Sequence, residues 1–86
     1  MHVLYEDTEN TNIKYISFIG ESNAKFDLAI IPTDRFYGKK IIFNIQSGKT
    51  AIIGHDDLEE PGYLEHVYQL TEEEAKDLYD YLIALY

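Results

Sequence analysis

Thr71-Glu72-Glu73-Glu74-Ala75-Lys76-Asp77-Leu78-Tyr79-Asp80-Tyr81-Leu82-Ile83-Ala84-Leu85-Tyr86 decides the fold, because it carries both a helix start signal and a helical period. The Thr71 hydroxyl can accept from the backbone N–H of Glu74 while the Glu74 carboxylate reaches back, which is a capping box. The carboxylates of Glu72, Glu73 and Glu74 also suit the positive end of a helix dipole. At about 100° per residue, Ala75, Leu78, Tyr79, Leu82, Ile83 and Tyr86 form one stripe. Tyr81 and Leu85 widen it to an arc of roughly 200°, where a surface helix needs about 100°. Glu73, Lys76, Asp77 and Asp80 fill the other side, and Tyr81 to Tyr86 carry no charge. The pattern predicts a helix from Glu72 almost to Tyr86 with more apolar surface than one small sheet face covers.

Upstream the period changes to that of strands. Ile13 to Ile19 is β-branched and aromatic, and Glu21-Ser22-Asn23-Ala24 reads as a turn. Phe26, Leu28 and Ile30 alternate with Asp27, Ala29 and Ile31, and Pro32 ends that strand or places it at an edge. The loop Thr33 to Gly38 follows. Third and fourth strands, Lys39 to Gln46 and Thr50 to Ile53, flank Ser47-Gly48. A two-residue turn there would pair Gln46 with Lys49, Phe43 with Ile52 and Ile42 with Ile53. A three-residue loop with Gly48 in the left-handed region would shift that register. The face bearing Ile41, Phe43, Ile45 and Ile52 reads as core, yet Ile42, Ala51 and Ile53 make the opposite face apolar as well. Residues 54–62 read as an acidic loop closed by Pro61-Gly62, and Tyr63 to Leu70 as a short fifth strand. The expected fold is α+β: a mainly antiparallel sheet of four or five strands with one C-terminal helix packed on it, in a single domain over residues 1–86.

The chain has 86 residues, 45% hydrophobic and 14% aromatic, enough for a core and too apolar for a disordered acidic tail. It contains no Cys, which excludes a disulfide framework and thiolate chemistry. No run approaches the roughly 20 residues of a membrane span. Met1 to Asn12 carries Glu6, Asp7 and Glu9 and lacks the apolar region of a secretion signal, so a cytoplasmic protein is expected. The net charge is -9; it repels phosphate backbones and anionic membranes. Residues 44–86 hold ten acids and two bases, so steering of a basic partner would come from that half.

Three clusters are candidates for function. His55, Asp56, Asp57 and His66 offer nitrogen and oxygen ligands for a divalent ion or a small hydrolase site, although no HExxH or calcium-loop spacing exists. The bland reading is a solvated acidic loop. Arg35-Phe36-Tyr37-Gly38-Lys39-Lys40 is the one concentrated basic stretch. It suits protein contact or, against the overall charge, single-stranded nucleic acid. The bland reading is a connecting loop, with Phe36 and Tyr37 on the core rim. Asp56, Asp57, Glu59 and Glu60 form an acidic patch that a basic protein could dock on, or that could mimic a phosphate backbone, or that serves solubility alone. No nucleophile elbow or glycine-rich phosphate loop is present, so no catalytic residue, metal or cofactor is assigned. The surplus apolar arc predicts a two-fold homodimer using Tyr81, Leu85 and Tyr86, unless Met1 to Tyr5 covers it within one chain.

The runs Phe26-Asp27-Leu28-Ala29-Ile30, Thr33-Asp34-Arg35-Phe36-Tyr37-Gly38-Lys39, Ala51-Ile52-Ile53-Gly54 and Asp56 to His66 resemble a family of short, acidic, uncharacterised proteins from Bacillus- and Staphylococcus-like bacteria. The resemblance spans nearly the whole chain. It implies a compact cytosolic bacterial protein, carries over no catalytic residue, and implies that Thr33–Lys39 and Asp56–His66 form a shared surface. The function expected is a non-enzymatic interaction or regulatory module.

Overall fold

A computed structural model describes residues 1–86. Strands β1 (Lys14–Ile19), β2 (Lys25–Pro32), β3 (Lys40–Asn44) and β4 (Lys49–Ile53) form an antiparallel meander in the order β1-β2-β3-β4. Helices α1 (His55–Glu59), α2 (Tyr63–Tyr68) and α3 (Glu72–Leu82) follow, and a 3-10 turn, Ile83–Leu85, ends the chain. All three helices lie on one side of the sheet. The core joins Phe26, Leu28, Ile30, Ile42 and Ile53 to Leu58, Leu64, Tyr68, Ala75, Leu78 and Leu82.

The α+β class is as expected, with four strands. The capping box that starts α3 is present: Glu74 N–H donates to Thr71 Oγ1 (3.2 Å), and Thr71 N–H donates to Glu74 Oε1 (2.9 Å). Two upstream readings are corrected. The segment 54–62 contains α1, whose Leu58 is buried and whose first turn carries Asp56 and Asp57. Tyr63 to Leu70 is not a strand. Leu64 and Tyr68 stand four apart and both are buried, which is helical spacing. Gln69 in the left-handed conformation stops the helix.

The β3–β4 hairpin differs from the expected one in register and in facing. Its loop is four residues, Ile45 to Gly48, closed by Gly48 N–H to the Asn44 carbonyl (2.8 Å). Gly48 sits at φ +76, a conformation that costs a residue without Cβ little. Asn44 therefore pairs with Lys49, Ile42 with Ala51, and Ile41 with Ile52. The shift preserves the parity of the pairs, so each residue keeps its companions on a face. The helices nevertheless cover the Ile42/Ala51/Ile53 face, and Ile41, Phe43, Ile45 and Ile52 lie on the other. The β2–β3 register is the reason. Ile30 pairs with Ile42, which places Ile42 beside Phe26, Leu28 and Ile30, the strongest apolar stripe of the sheet. Counting apolar residues within one hairpin could not reveal this.

Most of the wide apolar arc of α3 is absorbed within the subunit, with Tyr79 left exposed. Leu78 and Leu82 are wholly buried. The Tyr81 ring packs on Phe18, centroids 5.1 Å apart, with Lys14 Nζ above it at 5.8 Å. The 3-10 turn redirects Ile83, Leu85 and Tyr86 onto the core, and the Tyr86 hydroxyl donates to the Ile53 carbonyl. Asp77 ties α3 to the β1–β2 turn by accepting from Glu21 N–H (3.2 Å), Ser22 N–H (3.0 Å) and the Ser22 hydroxyl. A Cβ at Gly20 would collide with that carboxylate.

Candidate functional site

Two unlike surfaces result. The first is the helical layer. Residues 55–86 hold ten acids against the single base Lys76, whereas residues 1–54 hold six acids and six bases. The whole net charge of -9 thus belongs to the helices and their connections, and the remainder is neutral. Asp56, Glu59 and Glu60 are exposed. Asp57 is engaged: its carboxylate accepts from Gly54 N–H (2.8 Å) and Lys39 Nζ (3.1 Å). Burial raises its pKa, but these two donors outweigh burial and hold it below the ordinary carboxylate value. Lys39 also lies 3.9 Å from Asp56. This lysine joins the Thr33–Lys39 segment to the Asp56–His66 segment.

His55, Asp56, Asp57 and His66 do not gather. His55 Nδ1 faces Glu59 at 3.0 Å, Asp57 turns to Lys39, and His66 is exposed on α2. No three His, Asp or Glu side chains converge on one point. In the basic loop, Tyr37 is fully exposed and does not pack on the core rim. Arg35 donates to the Tyr5 hydroxyl (2.6 Å), with its guanidinium 4.8 Å from that ring. Lys40 lies 4.7 Å over the Tyr86 ring. Burial pushes the Tyr86 phenol up to about 12. A polar cleft of about 480 Å³ separates Glu9–Asn12 from Pro32–Asp34 and Gly38–Lys40; its lysines are balanced by Glu9 and Asp34.

The second surface is the sheet face turned away from the helices. The register aligns Ile31, Ile41 and Ile52 in one row across β2, β3 and β4. Ile13, just before β1, is also exposed. The next row is Tyr15, Ala29, Phe43 and Thr50. Ala29 is buried between its two aromatic neighbours. Ile45 and Ile52 remain 45% and 39% exposed, and Tyr15 70%. The face carries only two charges, Lys25 and Asp27, which lie 3.8 Å apart at one end. Asp27 also accepts from the Ser17 hydroxyl. A four-stranded meander with one face covered normally alternates to polar residues on the other. Here that alternation is missing over two rows except at Thr50.

Met1 to Asn12 forms no helix or strand and is exposed throughout. It does not cover the helices, contrary to one expectation. It is held by the Tyr5–Arg35 bond, by Glu9 accepting from Thr33 Oγ1 (2.8 Å) and Asp34 N–H (3.0 Å), and by Thr11 Oγ1 donating to the Pro32 carbonyl (2.8 Å).

These features define a small two-layer α+β protein with an acidic helical layer and an apolar open sheet face. The chain belongs to the SAV0927-like family, whose model matches residues 4–84. The match includes the whole sheet and all three helices. No curated protein matches the chain. No helix is long and apolar enough to cross a membrane.

Proposed function

We propose that the protein is a cytoplasmic, non-enzymatic interaction module that acts as a homodimer through its open sheet face. The observation that carries this reading is the pair of apolar rows, Ile31/Ile41/Ile52 and Tyr15/Ala29/Phe43. Side chains of this kind left open to water mark association surfaces, and aromatic anchors such as Tyr15 and Phe43 are typical of their centres. Electrostatics selects a second copy as the occupant. Two molecules of charge -9 repel unless their acidic layers stay apart. Sheet-to-sheet packing puts neutral halves in contact and both helical layers outside. With about 10 Å between successive layers, those layers stand roughly 30 Å apart, several times the ~8 Å Debye length. Contact through Tyr81, Leu85 and Tyr86 would instead bring the acidic layers together, and these side chains already pack within their own subunit.

Sedimentation equilibrium at micromolar concentration tests the proposal. The wild-type chain should run at twice 10.0 kDa. Ile41→Lys with Phe43→Lys should yield a folded monomer, with the circular dichroism of the parent. A wild-type species of 10.0 kDa alone refutes it.

The concentration of all net charge on the helical layer favours a second role for the dimer, docking a basic protein on its outer surfaces. Charge-reversed Glu59→Lys and Glu60→Lys should weaken such a complex without altering the dimer. Competition by duplex DNA would mark the acidic layer as a nucleic-acid mimic.

A further inference from the structure

Resting on the second role proposed above, the docking of a basic protein on the acidic helical layer, we infer that the groove between α3 and the α1–α2 connection receives an arginine side chain of that partner. Local sequence builds the two walls. Glu72, Ala75, Lys76 and Tyr79 recur at i, i+3, i+4 and i+7 and so share one face of α3. Across from them runs the turn Glu60-Pro61-Gly62-Tyr63, closed by Tyr63 N–H donating to the Glu60 carbonyl (3.2 Å). Leu64 and Glu65 of α2 complete the lining. The groove holds about 250 Å³, below the ~300–1,000 Å³ of a small-molecule pocket, so a single side chain suits it better. The helical layer faces outward in the sheet-to-sheet dimer, which leaves the groove of each copy open.

The lining combines two chemistries that a guanidinium satisfies together. Its floor is apolar, with Leu58, Leu64 and Ala75 buried there. Tyr79, 37% exposed, and the half-buried Tyr63 contribute aromatic rings. Its acids are Glu60, Glu65 and Glu72. None of these three carboxylates has a hydrogen-bond or ion-pair partner in the chain, whereas Asp57, Glu59 and Glu74 on the same layer are each engaged. The one cation of the groove, Lys76, is turned to the Asp80 carboxylate (3.0 Å), so the local charge stays negative. Carboxylates alone would draw any cation; the aromatic and apolar part narrows the choice. A guanidinium stacks on a tyrosine ring, meets carboxylates with a planar fork of donors and sheds water more readily than an ammonium. Its methylene stem covers apolar surface. Lysine offers only a compact, strongly hydrated charge. The same occupant accounts for Tyr79, a member of the apolar arc of α3 that the core leaves uncovered.

Hexa-arginine and hexa-lysine peptides carry equal charge and therefore separate the groove from simple attraction to the acidic layer. Each is titrated into the ¹⁵N-enriched full chain at physiological salt. Hexa-arginine should bind about fivefold more tightly and shift the amides of Gly62, Leu64, Ala75 and Tyr79. Tyr79→Ala, with the circular dichroism of the parent, should bring the two affinities within twofold, chiefly by weakening hexa-arginine. Equal affinities for the wild-type chain, shifts confined to residues outside the groove, or an arginine preference that survives Tyr79→Ala would overturn the groove and leave docking on the acidic layer standing. Absence of binding by either peptide at millimolar concentration removes both.

Discussion

Ile41 and Ile42 are neighbours of identical chemistry on opposite faces of β3, and truncating each to Ala separates the two faces energetically. Ile42 is wholly buried under the helices. Removing three carbons forfeits about 2.4 kcal/mol of transfer energy at ~0.8 kcal/mol each. The unfilled space adds to this, giving about 3–4 kcal/mol within the 2–5 kcal/mol seen for such changes. Ile41 is half-buried on the open face, so in a dilute subunit it should lose about half the transfer term, roughly 1 kcal/mol, and leave no cavity. The gap of about 2 kcal/mol corresponds to a difference in Tm of roughly 10 °C for a domain of this size. Urea unfolding followed by circular dichroism, at submicromolar and at high protein concentration, measures both effects. Ile42→Ala should lower stability equally at both concentrations. Ile41→Ala should cost little when dilute and more when concentrated, because dimer formation adds concentration-dependent stability. Equal losses in the dilute samples, or a larger loss for Ile41→Ala, would refute the assignment of the helices to the Ile42 face.

Tyr68 is buried and its hydroxyl donates to the Ile42 carbonyl at 2.7 Å. Tyr68→Phe should cost about 1–3 kcal/mol in urea unfolding with an unchanged m value. Asp77 lies below the ordinary carboxylate value of 3.8, held there first by the Ser22 hydroxyl and then by the Ser22 and Glu21 amides. A carboxylate depressed in the folded state stabilises fully above its unfolded pKa, and that contribution disappears as pH falls through the folded one. Stability should therefore drop below about pH 4, and Asp77→Asn, less stable at neutral pH, should show a flatter acid slope. Thr71→Ala removes the cap of α3 and should cost about 1 kcal/mol; a change indistinguishable from zero would argue against the capping box as a stabilising element.

Features governed by neighbours in sequence were legible before the fold was known. The α3 start needed only Thr71 and Glu74, three residues apart, and the β2 stripe needed only the alternation of Phe26, Leu28 and Ile30. The short α1 was hidden because Asp56, Asp57, Glu59, Glu60, Pro61 and Gly62 have loop composition. The helix α2 was legible in the spacing of Leu64 and Tyr68 but was masked by the β preference of its Tyr and Val residues. Of the candidate surfaces, the exposure of Asp56, Glu59 and Glu60 followed from charge. The Lys39–Asp57 and Arg35–Tyr5 contacts join residues 18 and 30 positions apart, and no local pattern signals them.

By itself, then, the amino-acid order determined the class of fold, the neutrality of its first part, the acidity of its last, and the surplus of apolar side chains. Only the tertiary structure decided where that surplus lies. Both faces of β3 and β4 are apolar, so hydrophobicity alone is degenerate between them. The tie is broken by the β2–β3 register and by the three helices, which can cover one side of the sheet and leave Ile31, Ile41, Phe43 and Ile52 on the other.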